Sequence, residues 1–371
     1  MGPIDPAEIY RLTYRDERIA IARDRCALQV EADLEQGDDG YGAYLFTDRL
    51  PPNNSANAYQ TNEPFEDGAL LYLHREEGEC TVRPMPILDR GERTLFVTGR
   101  CNSNCLMCPY GSKWRAAAQD EPLEILLRYI DLMDPFADYL CITGGEPTLL
   151  KDGFFQLLAS SKRHFENCLV HLLTNARAFF YRDFFEAYRC ARPSRILLGV
   201  PLHASHAELH DKISQADGSF LQTTVGLDRL CASGEHVELR VVVSALNIED
   251  LSNTARLIAQ RYPNVYRVCI MGLEMMGSAM FHRDKVWIPF EAARSPVGQM
   301  ADILLNAGIP VQLYNFPLCY IAPNHRSLCK KSISDYKVRY RPECDVCQCR
   351  EACGGFFSTT IHMPGIEVTP L

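Results

Sequence analysis

The chain has 371 residues with 47% hydrophobic content, enough for two or three domains with substantial cores. Its net charge of −9, from 38 basic and 47 acidic residues, argues against a broad nucleic-acid-binding surface. The first residues lack the basic and apolar regions of a signal peptide, and no apolar stretch is long enough to span a bilayer. Sixteen cysteines therefore indicate metal ligands and buried thiols in the reducing cytoplasm rather than disulfides.

The first part of the chain, residues 1–90, contains short β-like runs at 41–46, 69–74 and 80–83. A polar loop rich in Asn and Pro separates the first run from the second at 51–65. We expect a small β-rich N-terminal domain of unknown role. The alternative is a segment that covers the open edge of the sheet that follows.

From residue 94 the pattern changes to an alternation of strands and helices, which predicts parallel βαβ units. Strand-like runs occur at 94–98, 139–143, 168–174, 195–202, 237–245, 265–273 and 310–316. Helical patterns lie between them at 121–133, 154–165, 182–191, 219–233, 248–262 and 290–307. The fold class expected is α/β: a partial (β/α)6 barrel at 91–308, after the β-rich N-terminal domain and before a cysteine-rich region at 309–371.

Three cysteines directly follow the first of these strands. Cys101, Cys105 and Cys108 have the spacing C-x3-C-x2-C, one thiolate short of the four that a [4Fe–4S] cluster takes. The open iron can bind the amino and carboxyl groups of S-adenosylmethionine (SAM) and deliver an electron that releases a carbon radical. A zinc knuckle or a coincidence is the alternative, but zinc usually takes paired cysteines and no second pair lies nearby.

A glycine-rich turn follows the second strand, in the run Tyr139-Leu-Cys-Ile-Thr-Gly-Gly-Glu-Pro147. Gly144 and Gly145 allow a ligand to approach the backbone, and Glu146 offers an acceptor for an ammonium group. Alone, such a run would indicate only a turn. After this cysteine triplet, it resembles the segment with which radical SAM enzymes hold the methionyl amine of SAM.

A second group of cysteines lies in the C-terminal region. Cys344, Cys347 and Cys353 have C-x2-C-x5-C spacing, and Cys319 follows the strand-like run 310–316. Four thiolates would complete an auxiliary [4Fe–4S] cluster. Zinc is the alternative for a four-cysteine site, and Cys329 and Cys349 compete with Cys319 for the place of fourth ligand.

The barrel followed by a short cysteine-rich tail resembles the SPASM/twitch group of radical SAM enzymes, which modify ribosomally made peptides (RiPP maturation). The resemblance is closest to HxsC, the radical SAM maturase family of the His-Xaa-Ser system, and runs from about residue 90 to the C-terminus. The runs that carry it are Pro201-Leu-His-Ala204, Met271-Gly-Leu-Glu274, Leu318-Cys319, Ser332-Ile-Ser-Asp-Tyr-Lys337, Pro342-Glu-Cys-Asp-Val-Cys347 and Arg350-Glu-Ala-Cys-Gly-Gly-Phe-Phe357.

This resemblance implies a SAM pocket around the barrel mouth, with no catalytic side chain assigned beyond the cluster. The residues implied are Met107, Gly144, Gly145, Glu146, Pro147, Thr174, Asn175, Arg240, Met271 and Gly272. Met107 stands where the superfamily usually has an aromatic residue that touches adenine, and a thioether can also stack on the base. The alternatives are a helix cap for Asn175, a surface ion pair for Arg240 and a bulge at Gly272.

Two further groups of residues are assigned to structure. We interpret His203, His206 and His210 as loop and helix-start residues, with His203 allowed a substrate contact. The remaining cysteines of the barrel are expected to be buried small hydrophobic residues: Cys141, Cys168, Cys190, Cys231 and Cys269.

The function expected from the resemblance is an oxidoreductase that cleaves SAM to a 5′-deoxyadenosyl radical and removes hydrogen from a precursor peptide, most simply to form a cross-link. The expected partners are the precursor, a paired radical SAM protein and an electron donor such as flavodoxin or ferredoxin, without nucleic acid or membrane. Alternatives are a redox-neutral peptide epimerase, a radical SAM enzyme for a small molecule or RNA base, and a non-catalytic Fe–S or zinc scaffold.

Overall fold

The computed structural model describes residues 5, 7, 9–13, 26–30, 43–46, 58–61, 65, 70–76, 79–84, 93–111, 115 and 117–371. The chain divides into two compact units. The first comprises residues 1–98, 119–172 and 188–196, and the second comprises 99–118, 173–187 and 197–371. The polar loop predicted at 51–65 lies largely outside the described residues, and the predicted domain boundaries stay predictions.

The N-terminal part of the first unit forms a six-stranded mixed sheet in the order β4-β3-β2-β1-β5-β6. The strands are β1 (Ile9–Thr13), β2 (Cys26–Val30), β3 (Ala43–Phe46), β4 (Ala58–Gln60), β5 (Leu70–Glu76) and β6 (Glu79–Pro84). β1 to β4 pair in parallel, while β5 and β6 join as an antiparallel hairpin. The strand-like runs predicted here correspond to β3, β5 and β6.

A helix of the same unit holds the first strand of this sheet. The Arg128 guanidinium donates from both Nε and Nη2 to the Ile9 carbonyl, at 3.1 and 2.8 Å. Arg11 donates in turn to the Leu132 carbonyl at 3.3 Å. The β-rich segment is therefore joined by charge-assisted hydrogen bonds to the helix that precedes the glycine-rich turn.

Eight strands in chain order, β7 to β14, form the second sheet. Neighbouring strands from β7 to β9 and from β10 to β14 pair in parallel. They are β7 (Thr94–Phe96), β8 (Tyr139–Thr143), β9 (Leu169–Leu173), β10 (Ile196–Pro201), β11 (His236–Val242), β12 (Arg267–Met271), β13 (Val311–Tyr314) and β14 (Cys329–Lys330). The predicted α/β fold is confirmed. All seven predicted strands are present, and the two-residue β14 is an addition too short to leave a pattern.

The helices also follow the predicted alternation. They are α1 (Leu123–Leu132), α2 (Asp152–His164), α3 (Arg182–Ala191), α4 (Ala207–Ser214), α5 (Ser219–Ala232), α6 (Leu251–Arg261), α7 (Ser278–Phe281), α8 (Arg283–Val286) and α9 (Phe290–Asn306). α1 buries Ile125, Leu126, Tyr129 and Ile130 at helical spacing, the stripe that packs a helix on a sheet. Gly234 and Gly308, after two helices, have φ of 74° and 76°, which glycine adopts without a steric penalty.

Of the helices named above, α4, α7 and α8 are short and were not predicted from the sequence pattern. They have 8, 4 and 4 residues, so each presents too few turns for an apolar stripe to be recognised. The predicted helix at 248–262 begins later, because Ile248–Asp250 forms a 3₁₀ turn before α6.

Besides β13 and β14, the cysteine-rich C-terminal region contains 3₁₀ turns and a two-stranded antiparallel sheet. The turns span Leu318–Tyr320, Pro323–Leu328 and Pro342–Val346, and β15 (Val338–Arg339) pairs with β16 (Phe356–Phe357). The ring of Phe290 at the start of α9 lies 5.3 Å from that of Tyr320 and 6.0 Å from that of Phe356. These aromatic contacts give the region an apolar core. No helix in the described part of the chain is long and apolar enough to cross a membrane.

Candidate active site

The cysteine loop, residues 101–108, is hydrogen-bonded to the end of α4 in the second unit. Asn104 N donates to the Ser214 carbonyl at 2.8 Å, and Leu106 N donates to the Ile213 carbonyl at 2.9 Å. The Cys108 amide closes a turn on the Cys105 carbonyl at 3.2 Å. The unpredicted helix α4 therefore determines the path of the loop between its cysteines.

The three cysteines of this loop interact electrostatically. Each is partly exposed, but protein surrounds the Cys105 thiol, and burial together with the neighbouring Cys101 and Cys108 raises the pKa of Cys105 to about 12. Three thiolates so close repel one another unless a cation compensates their charge. A donor set of three soft thiolates that needs positive charge fits the iron–sulfur cluster expected from the sequence.

Asn175 and Arg177 connect the end of β9 to the cysteine loop. Asn175 Nδ2 donates to Asn102 Oδ1 at 2.6 Å, and Arg177 Nη1 donates to the Asn102 carbonyl and to Ser103 Oγ. Asn175 Oδ1 also accepts from the Arg177 amide at 3.1 Å, but Ala176 holds the N-cap position of the 3₁₀ turn that follows, so the capping alternative stays a prediction. Sequence analysis missed Arg177, whose only signal was a basic residue two positions after a strand-end Asn.

Thr174 lies at the same strand end, with a different task. It is 4% exposed, and its Oγ1 accepts from the Ala176 amide at 3.1 Å. Ala176 has φ of 60°, a left-handed conformation that a non-glycine residue adopts at a cost. Thr174 thus stabilises the sharp turn that brings Asn175 and Arg177 to the loop. A contact of Thr174 or Asn175 with SAM stays a prediction.

Met107 is 6% exposed and belongs to an apolar cluster with Leu273 and Met275. Gly272 follows the end of β12. Its amide donates to the Tyr314 carbonyl at 2.8 Å, and a Cβ on Gly272 would come within 2.6 Å of the Asn315 carbonyl oxygen. Gly272 is therefore required by a close approach of two backbones. Met271, Gly272 and Met107 as neighbours of adenine stay predictions.

The glycine-rich turn lies in the first unit. The Gly145 amide donates to the Thr98 carbonyl at 2.7 Å, and a Cβ on Gly144 would lie 2.4 Å from that same oxygen. The sequence predicted that a ligand approaches the backbone closely at Gly144. In the structure, the chain just after β7 makes this close approach. Any larger residue at Gly144 would separate the two strand ends.

Glu146 and Pro147 begin a 3₁₀ turn after β8. Glu146 is fully buried, and its Oε1 accepts from Thr148 Oγ1 at 2.7 Å and from the Thr148 amide at 3.1 Å. Pro147 occupies the first position of the turn, where its lack of an N–H costs nothing. A buried carboxylate held in this way is preorganised to accept from an ammonium group, which stays a prediction.

Arg240 on β11 is placed beside the fully buried Glu238 rather than on the surface. Arg240 Nε lies 3.1 Å from Glu238 Oε1, and Arg267 Nε donates to Glu238 Oε2 at 2.7 Å. Two guanidinium groups therefore compensate one buried carboxylate. The ion pair considered as the alternative is present, but its carboxylate partner is buried and not at the surface. A contact of Arg240 with SAM stays a prediction.

In the C-terminal region, the structure brings five cysteines around one cavity. Its lining contains Cys319, Cys344, Cys347, Cys349 and Cys353, together with Tyr340 and Arg350. Cys329, the other competitor for the fourth position, is not part of this lining. The predicted ligand set Cys319, Cys344, Cys347 and Cys353 is thus assembled from segments up to 34 residues apart in the chain.

Backbone amides point at two of these sulfurs. The amides of Leu318 and Gly355 each lie 3.4 Å from Cys353 Sγ, and the amide of Leu371 lies 3.4 Å from Cys347 Sγ. Amide donors stabilise negative charge on sulfur, and hydrogen bonds to the sulfurs set the potential of iron–sulfur clusters. This pattern suits thiolate ligands at Cys353 and Cys347.

The choice of fourth ligand is supported by electrostatics. Burial raises the pKa of Cys319 to about 12, and Cys353, Cys344 and Cys347 add to the increase. Cys349 is not among the causes. Cys329 also has a pKa raised to about 12, by burial and then by Cys353. Cys319 as the fourth ligand stays a prediction.

Zinc is the alternative metal for the C-terminal cysteines. Among the described residues, no group of three or more Cys, His, Asp or Glu side chains is arranged to hold a metal ion. Zinc draws four thiolates onto one ion at about 2.3 Å, whereas the four irons of a cluster each take one thiolate. The choice between zinc and a cluster stays a prediction.

The three histidines after β10 have different environments. His203 is buried, and its Nε2 lies 3.8 Å from Cys105 Sγ. His210 is buried in α4 with Nδ1 3.0 Å from Ser219 Oγ, while His206 is exposed just before the helix. Burial lowers the pKa of His203 well below its usual value and that of His210 to about 4. The loop interpretation is correct for His206, but His203 lies at the cysteine loop.

The other cysteines of the barrel follow the expectation in part. Cys141, Cys168 and Cys269 are buried, as expected. Cys231 is partly exposed, and Cys190 near the end of α3 is exposed, so the prediction of a buried thiol was wrong there. The residues around a helical cysteine do not show by themselves whether its side chain faces the solvent or the core.

Residues 95–258 match the model of the Radical SAM superfamily. The matched part contains both the cysteine loop and the glycine-rich turn. The prediction of an enzyme of this superfamily, with SAM and a [4Fe–4S] cluster as cofactors, is confirmed at that level. The more specific HxsC family is not.

A curated relative and two solved structures resemble the chain. The AdoMet-dependent heme synthase of Methanosarcina barkeri is 25% identical over 173 residues, 46% of this chain and 48% of that protein, so the chain spans about half the length of this relative. SuiB of Streptococcus suis, solved with its precursor peptide SuiA, is 13% identical with a TM-score of 0.48, over 59% of this chain and 48% of SuiB. The structure of anSMEcpe with bound AdoMet is 15% identical with a TM-score of 0.44, over 59% of this chain and 63% of that protein.

Proposed function

We propose that the chain is a radical SAM peptide maturase that removes hydrogen from a ribosomally made precursor of the His-Xaa-Ser type and leaves a cross-link. The observation that carries the proposal is the second cysteine group. A radical SAM domain needs only Cys101, Cys105 and Cys108, yet this chain adds a cavity lined by five further cysteines. Together with the runs that resemble HxsC, this favours a peptide over a small molecule or an RNA base.

The chain's own residues have separate tasks in this proposal. The loop held by Asn175 and Arg177 would present three thiolates, and the turn at Gly144 and Glu146 would receive the methionyl amine of SAM. The bound cluster supplies the electron that cleaves SAM to methionine and a 5′-deoxyadenosyl radical. The C-terminal cysteines would hold a second cluster that accepts the electron left after cross-linking, or orders the substrate.

The proposed surroundings follow from this chemistry. One-electron reduction requires a donor such as flavodoxin or ferredoxin, and both the thiolates and the clusters need a reducing compartment, the cytoplasm. A precursor peptide and a paired radical SAM protein are the proposed partners. A redox-neutral epimerisation is the second candidate, because it uses the same radical and differs only in the fate of the substrate radical.

The deciding experiment is an anaerobic reaction of the reconstituted chain with a His-Xaa-Ser precursor, SAM and a reductant, followed by mass spectrometry. A loss of two hydrogen atoms from the peptide supports the cross-link. An unchanged mass with an altered stereocentre would replace cross-linking by epimerisation. SAM cleavage without any change in the peptide would contradict the proposed substrate while leaving the radical SAM domain intact.

A further inference from the structure

His203 occupies a fixed position against the cysteine loop. It follows β10, is 5% exposed, and its Nε2 lies 3.8 Å from Cys105 Sγ. Its backbone carbonyl accepts from Asn247 Nδ2 at 3.0 Å, and the preceding amide of Leu202 donates to the Arg240 carbonyl at 3.1 Å. The backbone that carries the ring is therefore fixed at residues 202 and 203.

The other side of the imidazole is closed by a second histidine. The His210 ring lies 5.0 Å from the His203 ring, centroid to centroid, and His210 Nδ1 lies 3.0 Å from Ser219 Oγ. Ser219 Oγ in turn donates to Asp211 Oδ1 at 2.7 Å. Within the described residues, His203 Nδ1 is buried without a hydrogen-bond partner. The ring's polar contact is therefore with the sulfur of Cys105, through Nε2.

The chemistry of the pair decides which nitrogen carries the proton. A thiolate ligand is an acceptor, so a neutral ring with the proton on Nε2 donates to it, and Nδ1 keeps only a lone pair. The opposite tautomer would bury an unpaired N–H and direct a lone pair at an anionic sulfur. The arrangement thus selects a neutral N–H···S hydrogen bond.

We propose that His203 is a positioning residue that donates from Nε2 to the Cys105 thiolate of the SAM-binding cluster and raises the reduction potential of that cluster. The inference rests on the proposed function, because it needs a cluster on the cysteine loop. A donor withdraws negative charge from the sulfur and so favours the reduced, more negative cluster. The histidine would thereby make the cluster easier for its electron donor to reduce.

Two substitutions at position 203 test the hydrogen bond. His203→Phe keeps the ring volume but removes the donor, whereas His203→Gln keeps an N–H group. His206→Gln, at the exposed histidine of the same loop, is the matched control. The readouts are iron content after anaerobic reconstitution and the midpoint potential of the cluster whose EPR signal changes when SAM is added.

We expect H203F to keep its iron and to show a more negative midpoint potential than the wild type, with H203Q and H206Q close to the wild type. If H203F does not retain iron, His203→Met, which also lacks an N–H group, takes its place in the comparison. An unchanged midpoint in the donor-free variant, or an equal shift in H203Q, overturns the inference. A wild-type chain without iron on the cysteine loop would instead defeat the proposed function itself.

Discussion

The guanidinium of Arg177 donates to the backbone carbonyl of Asn102, the residue that follows the first cysteine of the loop. Its Nε also donates to Gln222 Oε1 on α5 at 2.7 Å, which anchors the side chain to a helix. The link spans 75 positions of the chain. A strand end thereby fixes the backbone between two prospective cluster ligands, Cys101 and Cys105.

The first prediction concerns this link. Arg177→Met should lower the iron retained by the cysteine loop after reconstitution and raise the dissociation constant of SAM, because hydrogen bonds from a charged group are each worth about 1.5–3 kcal/mol. Iron analysis and SAM binding by equilibrium dialysis measure both effects. Arg182→Met, at an exposed arginine of α3, is the control. Equal behaviour of the two variants would show that the loop is held without Arg177.

The second prediction concerns the number of clusters. The reconstituted chain should carry about eight irons, four in each of two clusters. Changing Cys101, Cys105 and Cys108 together to Ala should remove roughly half of the iron and abolish SAM cleavage, since no other thiolates lie in that loop. Cys190→Ala, at an exposed cysteine, should leave both unchanged. Full iron in the triple variant would refute the assignment of the loop.

The third prediction separates the two cysteine groups. Cys344→Ala and Cys353→Ala should abolish the modified peptide but leave SAM cleavage measurable, because the cysteine loop is intact. Cys319→Ala should behave in the same way, while Cys349→Ala and Cys329→Ala should keep the second cluster. Iron content and product analysis by mass spectrometry decide. If Cys349→Ala is as damaging as Cys344→Ala, Cys319 is not the fourth ligand.

The fourth prediction concerns stability against pH. Burial lowers the pKa of His210 to about 4 in the folded chain, compared with about 6.5 when unfolded. The unfolded state therefore binds the extra proton first, and stability is lost as the pH falls from about 6.5 towards 4. Between pH 7 and pH 5 the loss from this group is about 2 kcal/mol.

Denaturant unfolding at the two pH values tests this sign. His210→Phe should reduce the difference in unfolding free energy between pH 7 and pH 5, whereas His206→Phe, at an exposed position, should not. A pH dependence that is the same in H210F and the wild type would mean that other groups account for it.

The fifth prediction concerns the N-terminal sheet. An exposed sheet edge can hold an extended peptide by adding it as a strand, so removing residues 1–85 should raise the dissociation constant for the full-length precursor. SAM cleavage should persist because both cysteine groups lie outside that segment. Fluorescence anisotropy with a labelled precursor measures the affinity. An unchanged affinity in a folded, iron-loaded truncated chain would assign the segment to structural cover.

Sequence alone determined the features that depend on short spacing. The loop Cys101–Cys108 and the turn at Gly144–Glu146 each lie within a few residues, so their chemistry is visible in one line of sequence. The alternation of strands and helices from residue 94 also depends on local apolar periodicity, and the predicted strands are all present. Such patterns persist because a parallel sheet buries both faces of each strand.

Only the tertiary structure decided which distant side chains meet. Arg177 reaches Asn102, and His203 reaches Cys105 across 98 positions, because the carboxyl ends of parallel strands lie at one edge of the sheet, even when other strands lie between them. Likewise, Cys319 faces the cavity of the later cysteines while Cys329, only ten residues on, does not line it. The direction of a side chain at a strand end or turn depends on packing between elements, and no local pattern encodes it.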